Sequence, residues 1–397
     1  MAKGMRSWVG VAARGVAVVV VLIALLAFER SARAQDYADA GTFAVDTSTA
    51  DAGGTPVDVV VPEGAGPFPL IIASHGFSAT NAQQLGWAQH FATWGFVVVA
   101  PSFPNSLSPD ETVDSNIIEQ LVSVYSSAAT VSPAQGKVDA TRIGLEGHSA
   151  GGLASTLAAK VIAPGALVLF DPVDDADAGQ TAYATLCSPT LDVFADPSSC
   201  NNNEEWSTFA TNTTAPLAMF RVVGSTHCDG ENADRGALCG ALCGGDASPT
   251  RQAVYARYAT AFFLAKLNGD PTAAAALAET ALAADTTISS AAVQSGTAGC
   301  VRLAVDGGVI ETEDGSTPIG DPDPKPNPSP TASPTATSPT SSTPPPTNGA
   351  SSSGTSEPAS SSGCGCTLAG VSTTGSPFAL VAAALVLARR RRRHARG

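Results

Sequence analysis

An α/β fold, with a mostly parallel sheet covered by helices on both faces, is predicted by three observations. Short β-branched and apolar runs alternate with helical patterns from Val57 onward. The runs are apolar nearly throughout, which suits strands buried on both faces rather than half-exposed ones. Turn residues and side chains able to do chemistry gather just past the carboxyl ends of these runs. In an open parallel sheet that edge is where ligands bind.

Taken in order, Val57–Val61 reads as the first strand and Pro69–Ser74 as the second, running into His75-Gly76-Phe77-Ser78. Ala82 to Trp94 has a helical pattern. Gly95–Pro101 is a buried strand ended by proline, and Pro101–Pro109 is a loop at the edge where a cleft would lie. Val113 to Ala129 is the next helix, Thr141–Glu146 a strand and Leu153–Ile162 an Ala/Leu-rich helix. Further strands follow at Gly165–Phe170, Ser188–Ala195 and Ala215–Val223. They lead into Asp171, Asp196 and His227 respectively.

The centre of this pattern is Gly147-His148-Ser149-Ala150-Gly151-Gly152, between a strand and a helix. A serine held at the apex of so tight a turn needs an unusual backbone, and Gly147 and Gly151 remove the side chains that would clash there. Such a serine requires a base to take its proton. The chain has five histidines: His90 falls within a helix, His148 within the turn and His394 near the C-terminus. His227 is the candidate base, with His75 as its rival. A base in turn needs a carboxylate to set its tautomer, and Asp171 and Asp196 both stand at strand ends between serine and His227. Asp174 and Asp175 suit a solvated turn better. The N–H groups of Phe77 and Ala150 are the candidate donors to an oxyanion.

Together, His75-Gly-Phe-Ser, Gly147-His-Ser-Ala-Gly-Gly152, the strand-end aspartates and Gly224-Ser-Thr-His227 resemble the α/β-hydrolase superfamily over about residues 55–270. The segment looks most like the group of chlorophyllases, platelet-activating-factor acetylhydrolases and cutinase-like polyester hydrolases. That resemblance implies Ser149 as nucleophile, His227 as base and no cofactor or metal. Asp171-Pro-Val is similar to the chlorophyllase sequence after the sixth strand, which favours Asp171 as the acid. Cutinases take the acid after the next strand, and there the aligned position falls nearer Ser198 than Asp196. Asp196 stays as the alternative acid.

Outside residues 35–305, which the sequence assigns to the hydrolase domain, composition changes. Lys3, Arg6 and Arg14, the apolar run Val16–Phe28 and Ala32-Arg33-Ala34 form the pattern of an export signal over residues 1–34. An uncleaved anchor is the alternative. Residues 306–363 are rich in Pro, Ser, Thr and Gly and predict an extended stalk. Residues 364–397 combine Cys364-Gly-Cys366, an apolar stretch ending at Ala388 and the block Arg389–Arg393. This order resembles the C-terminal sorting tails of myxobacterial surface proteins; a plain membrane anchor is the alternative. The expected location is the cell surface or the exterior, with membrane contact only through that C-terminal helix.

Between Gln35 and Gly363 stand 34 acidic against 10 basic residues, a balance that repels nucleic acid and anionic membranes as partners. Cys187, Cys200, Cys228, Cys239, Cys243 and Cys300 are expected to form three disulfides in an exported domain. A Cys200–Cys228 bond would tie the loop after Asp196 to the loop of His227. Zinc at Cys228, Cys239 and Cys243 beside His227 is the rival reading. The expected protein is a monomeric carboxylic-ester hydrolase acting on small-molecule, lipid or polymer esters. Its rivals are a catalytically silent surface-binding module and a peptidase or amidase using the same residues.

Overall fold

The computed structural model describes residues 36–127, 132–232, 237–297, 302–303 and 309–311. The export signal, most of the stalk and the Cys, apolar and arginine tail lie outside them. Among the described residues no helix is long and apolar enough to cross a membrane.

A nine-stranded sheet runs in the order β1-β2-β4-β3-β5-β6-β7-β8-β9. Its strands are β1 (Val45–Ala52), β2 (Thr55–Pro62), β3 (Phe68–Ser74), β4 (Val97–Pro101), β5 (Val138–His148), β6 (Ala166–Phe170), β7 (Thr190–Phe194), β8 (Leu217–Val222) and β9 (Ile288–Gln294). From β4 to β8 every neighbouring pair is parallel. The outer strands β1, β2 and β9 pair antiparallel. The parallel strands therefore end at one common edge.

Alternate residues along each strand face opposite ways, so the sheet separates two cores. On one face Ile71, Val98, Val168, Phe170 and Phe220 pack with Trp87 and Phe91 of α1 (Leu85–Thr93) and Tyr255, Phe262 and Phe263 of a later helix, Pro249–Leu267. On the other, Leu70, Ile72, Val99, Leu145 and Leu169 pack with Ile118, Leu121 and Tyr125 of α2 (Glu111–Ser126) and Leu153, Ala154 and Ala158 of α3 (Ala150–Ile162). The remaining helices are α4 (Ala178–Tyr183), α5 (Ala237–Cys243), α6 (Pro249–Leu267), α7 (Pro271–Ala276) and α8 (Glu279–Ala284).

The α/β class stands, and each strand read from sequence is present within a few residues of its expected bounds. Two kinds of element were not legible. β1 and β9 are polar and pair on one side only, so neither carries the apolar run of a central strand. Helix α6 buries Tyr255, Tyr258, Thr260 and Phe263 around much of its circumference, which erases the polar stripe of a surface helix.

One buried acid gives the fold a pH dependence. Asp114 lies in the first turn of α2, where a negative charge suits the helix dipole. Yet it is 5% exposed and its Oδ1 has no hydrogen-bond partner among the described residues. Burial first, then the charges of Glu111 and Asp110, push its carboxyl up to about 7. The folded chain thus holds this proton more tightly than the unfolded chain. Stability is full below the unfolded carboxylate pKa of 3.8 and is lost as pH rises towards 7. Asp114→Asn is expected to raise the melting temperature at pH 8 and to leave it unchanged at pH 4. Equal shifts at both values in thermal melts would refute the account.

Candidate active site

The parallel strands set Ser149, Asp171, Asp196 and His227 past the carboxyl ends of β5, β6, β7 and β8. β3 is followed in sequence by β4 on one side and by β5 on the other. That reversal opens a crevice, and Ser149 stands beside it.

Ser149 holds φ 56° and ψ −123°, a conformation that costs a non-glycine residue about 1–3 kcal/mol. The glycines beside it permit the turn by close approach. A Cβ on Gly147 would lie 2.3 Å from the Gly151 carbonyl oxygen. One on Gly151 would lie 2.5 Å from the carbonyl oxygens of both Ser74 and His75. The serine's main chain is fixed to the neighbouring strand end: its N–H donates to the Phe170 carbonyl at 3.1 Å and its carbonyl accepts from Val173 N–H at 3.3 Å. Ala150 opens α3, so its N–H is among the first-turn donors that no carbonyl within the helix can accept.

His227 begins a single 3-10 turn, His227–Gly230. Asp229 braces that turn, accepting from Thr226 N–H at 2.8 Å, Ser248 N–H at 2.7 Å and Arg251 Nε at 2.6 Å. Behind the turn, His148 Nε2–H donates to the His227 carbonyl at 2.9 Å, with the two rings 4.6 Å apart and Glu231 Oε1 3.7 Å from His148 Nδ1.

Ser149, His227 and Asp171 meet in one chain of hydrogen bonds. His227 Nδ1 lies 2.6 Å from Asp171 Oδ2 and Nε2 lies 2.9 Å from Ser149 Oγ. A carboxylate can only accept, so Nδ1 carries the proton and Nε2 accepts from the serine hydroxyl. All three are nearly shielded from solvent, at 6%, 5% and 1% exposure for Ser149, His227 and Asp171. The shielding strengthens each electrostatic contact.

Asp196 does not join them. Its side chain is exposed, and its main chain serves the site instead: its N–H donates to the Ser225 carbonyl at 3.0 Å. Asp174 is buried and holds the N–H groups of Gly179 and Gln180. His75, the rival base, is a strap. Its Nδ1–H donates to the Gly76 carbonyl at 2.9 Å, so its Nε2 is free of hydrogen and accepts from Phe103 N–H at 2.9 Å. Ser78 N–H also donates to the Ser106 carbonyl, at 2.7 Å. The half-buried Phe77 thus sits in a loop fastened to residues 101–109.

The cysteines correct one expectation. Cys200 pairs with Cys243, and Cys228 with Cys239; the Cys200–Cys228 bond is not formed. Cys187 is disulfide-bonded as well. Cys239 and Cys243 lie about one turn apart on α5, so this helix receives both the loop after β7 and the loop of His227. The loop after β7 and the loop of His227 are tied, but through a third element. The sulfurs of Cys228, Cys239 and Cys243 lie within 4.8 Å of one another, each of them committed to one of these two bonds. Replacing Cys200 and Cys243 together by serine is expected to cost up to about 4 kcal/mol, from the closure of a loop of this length. Urea unfolding measures it, and a loss under about 0.5 kcal/mol would show that the bond adds nothing.

Sequence reasoning missed Asn201, Asp229, Arg251 and the His148–Glu231 pair. Each acts through a neighbour rather than through the reacting atoms; apart from His148, which lies inside the glycine–serine–glycine turn, none belongs to a spaced motif.

Residues 32–194 match the family model described as chlorophyllase, a span that includes Ser149 and Asp171 and ends before His227. The chain is also similar to chloroplastic chlorophyllase-1 of Citrus sinensis, 28% identical over 129 residues, which is 30% of this chain and 36% of that protein. The chain thus spans little more than a third of the length of this relative. With its nine-stranded, mostly parallel sheet and helices on both faces, the chain has an α/β-hydrolase-type fold, and residues 32–194 are similar to the chlorophyllase family.

Proposed function

We propose that the chain is an exported serine hydrolase that cleaves carboxylic esters through an acyl-enzyme. The observation that carries this reading is the buried Ser149–His227–Asp171 chain at the carboxyl edge of the sheet. Ser149 Oγ attacks the ester carbonyl carbon while its proton passes to His227 Nε2. Asp171 stabilises the imidazolium that forms. The N–H groups of Ala150 and Phe77 receive the negative charge on the carbonyl oxygen. His227 then returns the proton to the departing alcohol, and a water molecule repeats the sequence to release the acid. The chemistry calls on these side chains and main-chain donors alone.

The exported location rests on the N-terminal pattern of residues 1–34 and on the disulfides. The acidic balance of the exported part supports a soluble-domain surface on a stalk, with the apolar and arginine tail as its sorting or anchoring element.

The test compares p-nitrophenyl butyrate, p-nitrophenyl palmitate and a matched anilide, together with labelling by a fluorophosphonate. Ester turnover well above anilide turnover, with one label per chain mapped to Ser149, is the expected result. Anilide turnover equal to ester turnover would favour an amidase. Neither turnover nor label would favour the binding-module alternative.

A further inference from the structure

Asn201 is 1% exposed and lies in the loop after β7. Its Nδ2 donates to Asp171 Oδ2 at 3.0 Å and Oδ1 at 3.2 Å, and to the Asp196 carbonyl at 3.0 Å. Its Oδ1 accepts from the N–H groups of Ser198, at 2.7 Å, and Glu204, at 3.1 Å. These contacts fix which way the amide faces. Reversed, it would aim NH2 at two main-chain donors and its oxygen at a carboxylate.

We propose that Asn201 is a positioning residue for the acid of the triad, holding the Asp171 carboxylate in the plane that presents Oδ2 to His227 Nδ1–H. A carboxylate turns readily about its last torsion, because that sp3–sp2 well is broad. Ala195 N–H pins Oδ1 at 3.0 Å, and Asn201 is the group that touches both oxygens. With that contact in place, the 2.6 Å bond to His227 has one geometry.

The disulfides make the same point covalently. Asn201 follows Cys200, which is bonded to Cys243 on α5, and His227 precedes Cys228, which is bonded to Cys239 on the same helix. The residue that holds the acid and the base itself are therefore both fastened to α5. Asp196, offered by the sequence as an alternative acid, gives its carbonyl to the Asn201 amide and so serves the same hold on Asp171.

This inference rests on the serine-hydrolase reading, and its test keeps the two apart. The full chain is compared with Asn201→Asp and Asn201→Ala. Aspartate keeps an acceptor for the Ser198 and Glu204 N–H groups, so the loop is retained, but it sets a second carboxylate against Asp171. In p-nitrophenyl butyrate hydrolysis, kcat for Asn201→Asp is expected to fall by about tenfold to a hundredfold, with KM within about twofold. Its acid limb in kcat/KM should move to higher pH, because added negative charge favours the imidazolium, which cannot accept the serine proton. The other charged or titratable groups around His227, namely Asp171, His148, Glu231, Asp229 and Arg251, are unchanged between the proteins. Asn201→Ala should lower kcat with a smaller displacement of that limb.

The proton between His227 Nδ1 and Asp171, read by NMR, serves as a measure independent of turnover. Its signal should move in Asn201→Asp. If wild type neither hydrolyses the ester nor takes the phosphonate while this signal still moves, the hydrolase reading fails and the hold of Asn201 on Asp171 stands. An unmoved signal, or a limb unmoved while both variants lose activity only in step with their melting temperature, overturns the inference.

Discussion

Ser149→Ala is expected to lower kcat/KM for ester hydrolysis by about 10⁶, the scale at which a triad nucleophile acts together with its base. The loss is large because the base is already committed: His227 Nε2 faces Ser149 Oγ at 2.9 Å. Asp171→Asn tests the other end of the same chain. An asparagine there can turn an N–H towards His227, leaving the imidazole in the tautomer whose Nε2 no longer accepts, and kcat should drop by about 10⁴. Asp196→Asn should stay within about twofold of wild type, since the side chain is exposed and only the main chain of Asp196 reaches the site. Initial rates with p-nitrophenyl butyrate measure all three. A collapse in Asp196→Asn with Asp171→Asn unharmed would reverse the assignment of the acid, and undiminished activity in Ser149→Ala would end the mechanism.

Gly151→Ala is expected to destabilise the fold by about 3 kcal/mol or more, near or beyond the upper end of ordinary overpacking. In an open helix the same change stabilises by about 1 kcal/mol, because alanine loses less backbone freedom. Here the clash decides the sign. The added methyl would meet the carbonyl oxygens of Ser74 and His75 at 2.5 Å, and these belong to the end of β3 and its following turn, where no flexible side chain can give way. The strand would have to part from α3, taking the Phe77 loop with it. Urea midpoints of variant and wild type decide the matter, and a difference below about 1 kcal/mol would show that the elbow relaxes freely.

Much of the site was legible because its requirements are local. A strained serine between close-packed glycines has to be written as glycine, serine and glycine, and a late strand ending in histidine is conspicuous when histidines are few. The choice of acid was different. Asp171 and Asp196 each follow a buried strand, and what favours Asp171 in the sequence is the resemblance of Asp171-Pro-Val to chlorophyllases, not any difference in local pattern. What separates them is orientation. Asp171 turns inward from a backbone at φ 44°, with its N–H donated to the Val193 carbonyl at 2.8 Å, while Asp196 turns outward beside it.

The disulfides show the same division. An even set of cysteines in a chain with an export pattern implies bonds, yet their pairing depends on which loops α5 meets, a long-range contact that spacing does not encode. The structure sends both loops to one helix and leaves the direct Cys200–Cys228 bond unmade.

By itself, then, the sequence determined the parallel sheet, the elbow, and the candidate nucleophile and base, because apolar runs, tight turns and rare residue types are written in consecutive positions. Only the tertiary structure decided that Asp171 faces His227, that Asn201 holds it and that α5 fastens the two loops. Those contacts join residues 56, 30 and 43 positions apart, and the side chains meet only once the parallel strands bring their carboxyl ends to one edge.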